Sequence, residues 1–113
     1  MIRSLALIIS VCTLMASHSF AATGAGICVE AVLKSGVEHN VMFAINQCRD
    51  IQNEGQAYCV AGALMSGAEQ NVMFALSSCR AVRSVDQGLC VRGALESRVE
   101  RNVDFAVNSC NSL

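Results

Sequence analysis

The sequence predicts an all-α protein made of three tandem 31-residue helical hairpins, an α/α solenoid-like stack with each hairpin closed by its own disulfide. Three observations predict it: a gapless internal repeat, a helix-favouring composition without proline, and cysteines recurring at one fixed spacing. The repeat is plain when CVEAVLKSGVEHNVMFAINQC (28–48), CVAGALMSGAEQNVMFALSSC (59–79) and CVRGALESRVERNVDFAVNSC (90–110) are placed one above another. Ten of the 21 columns are identical in all three copies, and the offset is 31 residues both times. A fixed period between about 20 and 50 residues marks units that bury their apolar faces against their neighbours. The units run 28–58, 59–89 and 90–113.

Ahead of them lies a segment of another kind. Met1-Ile2-Arg3 supplies one positive charge, Leu5 to Ala16 is an apolar run, and Ser19 and Ala21 match the small residues of a cleavage site. These are the marks of a secretory signal peptide, expected to span 1–21 and to be cut after Ala21. The run falls short of the ~20 residues that span a bilayer. Cys12 belongs to this segment, so residues 22–113 form one domain with six cysteines. An even cysteine count in an exported chain reads as a disulfide framework, and the chain is expected to be secreted or periplasmic.

Inside each unit, Ala, Leu, Met, Glu and Gln favour helix. The second half of the first unit carries Val37, Val41, Ala44, Cys48 and Ile51 at helical spacing. Ala68, Val72, Ala75, Cys79 and Val82 repeat that face, followed by Val99, Val103, Ala106, Cys110 and Leu113. The first half holds a shorter cluster of Cys28, Ala31, Val32 and Leu33. Asn53 with Gln56, and Ser84 with Gln87, signal the start of the next unit's first helix.

Two turns compete between the halves. Ser35-x-x-Glu38, Ser66-x-x-Glu69 and Ser97-x-x-Glu100 have the spacing of capping boxes that would start the second helix at the serine. Alternatively Gly36 and Gly67 end the first helix, and Asn40, Asn71 and Asn102 cap the second. A turn centred near residue 38 brings Cys28 and Cys48 level, whereas a turn at residue 35 leaves them offset by ~9 Å along the axis. A bridge needs Cα atoms within about 7 Å, which favours the asparagine caps. Arg98 replaces the glycine in the third unit, a departure that this choice must tolerate. Pairing within units gives Cys28–Cys48, Cys59–Cys79 and Cys90–Cys110; pairing Cys48–Cys59 and Cys79–Cys90 instead strands Cys28 and Cys110 at opposite ends.

Composition limits function. Without residues 1–21 the chain has seven Lys and Arg (eight less Arg3) against nine Asp and Glu, a net charge of about −2. Phosphate backbones need a positive field, so nucleic acid is not expected as a partner, nor is a membrane once the signal is removed. His39 is the one histidine after the signal, and its column reads Gln70 and Arg101 elsewhere. No nucleophile motif or HExxH helix accompanies it, so no catalytic, metal-binding or cofactor-binding residue is assigned. Phe43, Phe74 and Phe105 recur once per unit and are expected to pack between units. Met42 and Met73 become Asp104, as expected if that column faces the following neighbour and the last unit is a polar cap. The charges Arg92, Glu96, Arg98, Glu100 and Arg101 are expected to solvate that cap. A non-enzymatic module that binds another protein is the leading reading. A small secreted enzyme or enzyme inhibitor using His39 or the glutamate row, and a Cu(I) store using reduced thiolates, are the alternatives.

Overall fold

The computed structural model of the protein describes residues 24–113. The expected signal peptide, its cut after Ala21 and Cys12 lie outside the described residues. These contain six α-helices and no strand: α1 (Ala25–Lys34), α2 (Val41–Cys48), α3 (Glu54–Met65), α4 (Val72–Cys79), α5 (Val85–Glu96) and α6 (Val103–Ser109), then a single 3-10 turn at Cys110–Ser112. Helix α1 pairs with α2, α3 with α4 and α5 with α6. The longer helices lie in a row, α1 against α3 and α3 against α5, and α4 packs on α6. Among the described residues no helix is long and apolar enough to cross a membrane.

The caps explain where each helix begins. Asn40 Oδ1 accepts from the Phe43 N–H at 2.9 Å, Asn71 from Phe74 at 3.1 Å and Asn102 from Phe105 at 2.9 Å. Each satisfies a donor that the first turn leaves unpaired, worth about 1 kcal/mol. The first helices end where Gly36 and Gly67 enter the left-handed region, with φ of 80° and 79°. Arg98 makes the same turn at φ 66° although it carries a side chain. The turn therefore lies ahead of the asparagines, and the Val37 column sits in it rather than on a helix; Val99 there is 90% exposed.

The longer turn lets the cysteines meet. Cys28–Cys48, Cys59–Cys79 and Cys90–Cys110 are disulfide-bonded, with Cα separations of 5.8, 5.7 and 5.9 Å. Each bond closes a loop of 20 residues, which in the chain-entropy account stabilises by about 3 kcal/mol. Three such bonds point to an oxidising environment. Five of these cysteines belong to one core with Val32, Ala44, Val60, Leu64, Ala75, Val91, Leu95 and Ala106, and half-buried Cys90 packs against it.

Glycines bring the first helices together. Gly55 lies so close to the Ser84 carbonyl, and Gly88 to the backbone of Gly55, that no side chain fits at either. A methyl group at Gly62 would come within 2.6 Å of the Arg92 Cα. Helix α3, flanked on both sides, buries nine of its twelve residues, from Gly55 to Leu64 apart from Tyr58. Polar groups tie the ends. Asn53 Oδ1 accepts from Gln56 N–H, and buried Gln56 accepts from Gln52 N–H while donating to the Arg80 carbonyl at 3.1 Å. Ser84 and Gln87 repeat the arrangement, Gln87 donating to Asn111 Oδ1 at 3.0 Å.

Candidate interaction surface

The loop before each second helix is held by its own side chains. Ser35 Oγ donates to the Val32 carbonyl at 2.8 Å and accepts from Val37 N–H. A carboxylate oxygen of Glu38 accepts from the His39 and Asn40 N–H groups at 3.2 and 2.9 Å. Ser66 with Glu69, and Ser97 with Glu100, make the same contacts. The serine and glutamate thus brace the turn instead of forming a capping box. With the loop and the asparagine cap fixed, the third residue of each second helix has a set position, and that residue is phenylalanine every time.

Two of the three rings stay out of the core, contrary to expectation, while Phe43 packs against it. Phe74 and Phe105 are 63% and 61% exposed, and Phe43 is half-buried. Met42 and Met73 are 61% and 58% exposed, so the Met column faces solvent rather than the following neighbour. The physical reason is the width of the contact. Each second helix has about two turns, and it buries Ala44, Ala75 or Ala106 together with its cysteine. At 100° per residue, Phe43 lies about 110° and Met42 about 150° from the centre of the face holding Ala44, Cys48 and Ile51. An apolar stripe on a globular helix is about 100° wide, so both residues fall outside it. Val41 is exposed as well, whereas Val72 and Val103 are buried.

The result is an apolar ridge along the starts of α2, α4 and α6. Between α2 and α4 it borders a groove lined by Val37, Glu38, Phe43, Met73 and Phe74, with Gln70, Asn71 and Val72 along its floor and sides. Single exposed apolar residues are ordinary on a protein surface; a contiguous set ringed by polar groups marks an interaction site.

Other residues singled out in the sequence fall elsewhere. His39 is exposed at the turn. The glutamates occur one per turn, each engaged with backbone N–H groups. All six cysteines of residues 24–113 are in disulfides, so the oxidised chain has no thiolate among them to offer Cu(I). Among the described residues, no three His, Cys, Asp or Glu side chains gather as metal ligands would. Two arginines expected to solvate the last unit turn back on the middle one instead. The Arg92 guanidinium lies 4.9 Å from the Tyr58 ring centre, and Arg101 Nη2 donates to the Gly67 carbonyl at 3.5 Å. The flat, charged guanidinium stacks favourably on an aromatic face, which explains why Arg92 prefers the interface; Glu96 and Arg98 are exposed. Comparison of the chain with protein-family models, curated proteins and solved structures returns no match.

Proposed function

We propose that this is an exported, secreted or periplasmic protein whose three repeats stack as a short solenoid and hold a partner protein on the Met/Phe ridge. One observation carries the reading: the phenylalanine identical in all three copies is exposed in two and only half-buried in the third. Packing accounts for repeat identity where a side chain is buried, as with Ala44, Ala75 and Ala106. It does not account for Phe74 and Phe105, whose exposed rings cost solubility. Binding does, since aromatic and methionine side chains concentrate at the centres of protein interfaces. The disulfide-braced helices and self-bonded turns hold the ridge rigid, which lowers the ordering cost of association. In this reading residues 1–21 direct export and the work is binding rather than catalysis.

The test is photo-crosslinking in the natural exported fraction, with the wild-type protein beside a Phe74→Ser/Phe105→Ser variant of unchanged circular dichroism. A partner trapped by the wild type and lost by the variant is the expected result. The same proteins trapped by both would overturn the ridge as the binding face. N-terminal sequencing of the natural product checks export: Ala22 is the expected first residue, and a retained Met1 contradicts it.

A further inference from the structure

We infer that the ridge takes a basic amphipathic segment of its partner, apolar side chains seated in the groove between α2 and α4 and Lys or Arg side chains along its rim. This deepens the preceding reading and rests on it. Charge supports the choice of partner. The three stretches that build the ridge, 38–43, 69–74 and 100–105, carry Glu38, Glu69, Glu100 and Asp104 against the single cation Arg101. Four carboxylates against one guanidinium make this face more negative than the whole chain, whose formal charge is −1. Glu38 is the one ionisable residue lining the groove itself, beside Phe43, Met73 and Phe74. Its carboxylate is already turned toward backbone donors through one oxygen, leaving the other for an incoming cation.

Of the nearby cations, exposed Arg98 stands in the turn before Glu100, and three others already have partners. Lys34 pairs with Glu30 at 2.9 Å, Arg92 lies over Tyr58, and Arg101 reaches the Gly67 carbonyl. The replacement of methionine by Asp104 in the third unit extends the acidic rim where the apolar ridge narrows to one phenylalanine. An anionic membrane or an acidic peptide meets repulsion here. A segment with alternating apolar and cationic faces satisfies both halves, its anchors at helical spacing entering the groove and its charges hastening encounter. Methionine beside the rings suits such an occupant, because an unbranched thioether adjusts to the shape of what it covers.

The experiment measures fluorescence anisotropy with the full disulfide-bonded protein and three labelled helical peptides: leucine with lysine, leucine with glutamate, and serine with lysine. The leucine–lysine peptide is expected to bind, to weaken as salt rises, and to lose about tenfold in affinity with Phe74→Ser, as a central aromatic anchor does. Glu38→Gln together with Asp104→Asn keeps the hydrogen-bond acceptors and is expected to cost a few-fold, with a shallower salt dependence. Equal or better binding of the leucine–glutamate peptide, sensitive to Phe74→Ser, removes the basic partner and leaves the ridge as a protein-binding face. Absent binding of the leucine–lysine peptide, or binding indifferent to Phe74→Ser, overturns the inference, while the crosslinking result decides separately whether the ridge binds a protein at all.

Discussion

The helix pair α3–α4 and the pair α5–α6 have the same layout but differ at several columns, and some of the differences show which positions a neighbour governs. Gly55 has Asp86 as its counterpart, Gly67 has Arg98 and Met73 has Asp104, whereas Gly62 keeps its glycine as Gly93. In α3 Gly55 faces the backbone of Ser84, the cap of α5, and Gly62 that of Arg92, with no room for a side chain. In α5 Asp86 is exposed, and a Cβ built at Gly93 would meet nothing within 4 Å. The same column is therefore a close-packing requirement in one unit and a solvated surface position in the other. An aspartate at the Gly55 position would strike the Ser84 backbone.

The sharpest test of that contrast is one mutation made twice. Gly62→Ala forces a methyl group against the Arg92 backbone and is expected to destabilise by about 2 kcal/mol, as overpacking does. Gly93→Ala, in the same column of a helix of equal length, meets nothing and is expected to stabilise by up to about 1 kcal/mol through helix propensity. Denaturant melts of the two variants check the opposite signs. Equal effects would mean that α3 and α5 are not in the close contact described.

The turn column gives a smaller effect of the same kind. Arg98 holds a left-handed conformation that costs a residue with a side chain about 1 kcal/mol. Arg98→Gly is expected to raise stability by about that amount, and Gly67→Ala to lower it by a similar amount. Thermal melts read both; a destabilised Arg98→Gly would show that the side chain contributes more than its backbone costs.

The smallest effects belong to the ridge. Phe74→Ala is expected to change stability by less than about 1 kcal/mol, and exposed His39→Ala by no more than about 0.5 kcal/mol. A loss of several kcal/mol from Phe74→Ala in a chemical melt would return the ring to the interior and break the contrast between a close-packed Gly62 and an exposed Phe74.

Much of the fold was legible because local chemistry governs it. The 31-residue period, the asparagine caps and the level placement of the cysteines each follow from helix geometry acting over a few turns. The ridge was misread because regular spacing was taken as a sign of burial. Phe43, Phe74 and Phe105 recur at the same spacing as the alanine beside them, one residue on, yet that single step turns the side chain about 100° away from the core. A wheel drawn through Ala44, Cys48 and Ile51 alone would have set the rings outside. The glycine contacts were missed for a different reason. Gly55, Gly62 and Gly88 lie inside helical segments, where an unexplained glycine signals close approach of another backbone, but which backbone approaches is a tertiary fact. Gln56 and Gln87 were visible as helix-start residues, while their second bonds, to Arg80 and Asn111, join positions 24 residues apart.

The pattern of the disulfides has a consequence for how the chain can be made. The six cysteines of residues 24–113 can be joined in 15 ways, and here each joins the next of that set: 28 with 48, 59 with 79, 90 with 110. A chain delivered N-terminus first into an oxidising space presents its thiols in just this order. If each pair closes before the following cysteine arrives, the native set is reached by oxidation alone, with no wrong bond to undo. Synthesis of this protein then calls for an oxidant but not for an isomerase, and its yield is set by the pace of delivery.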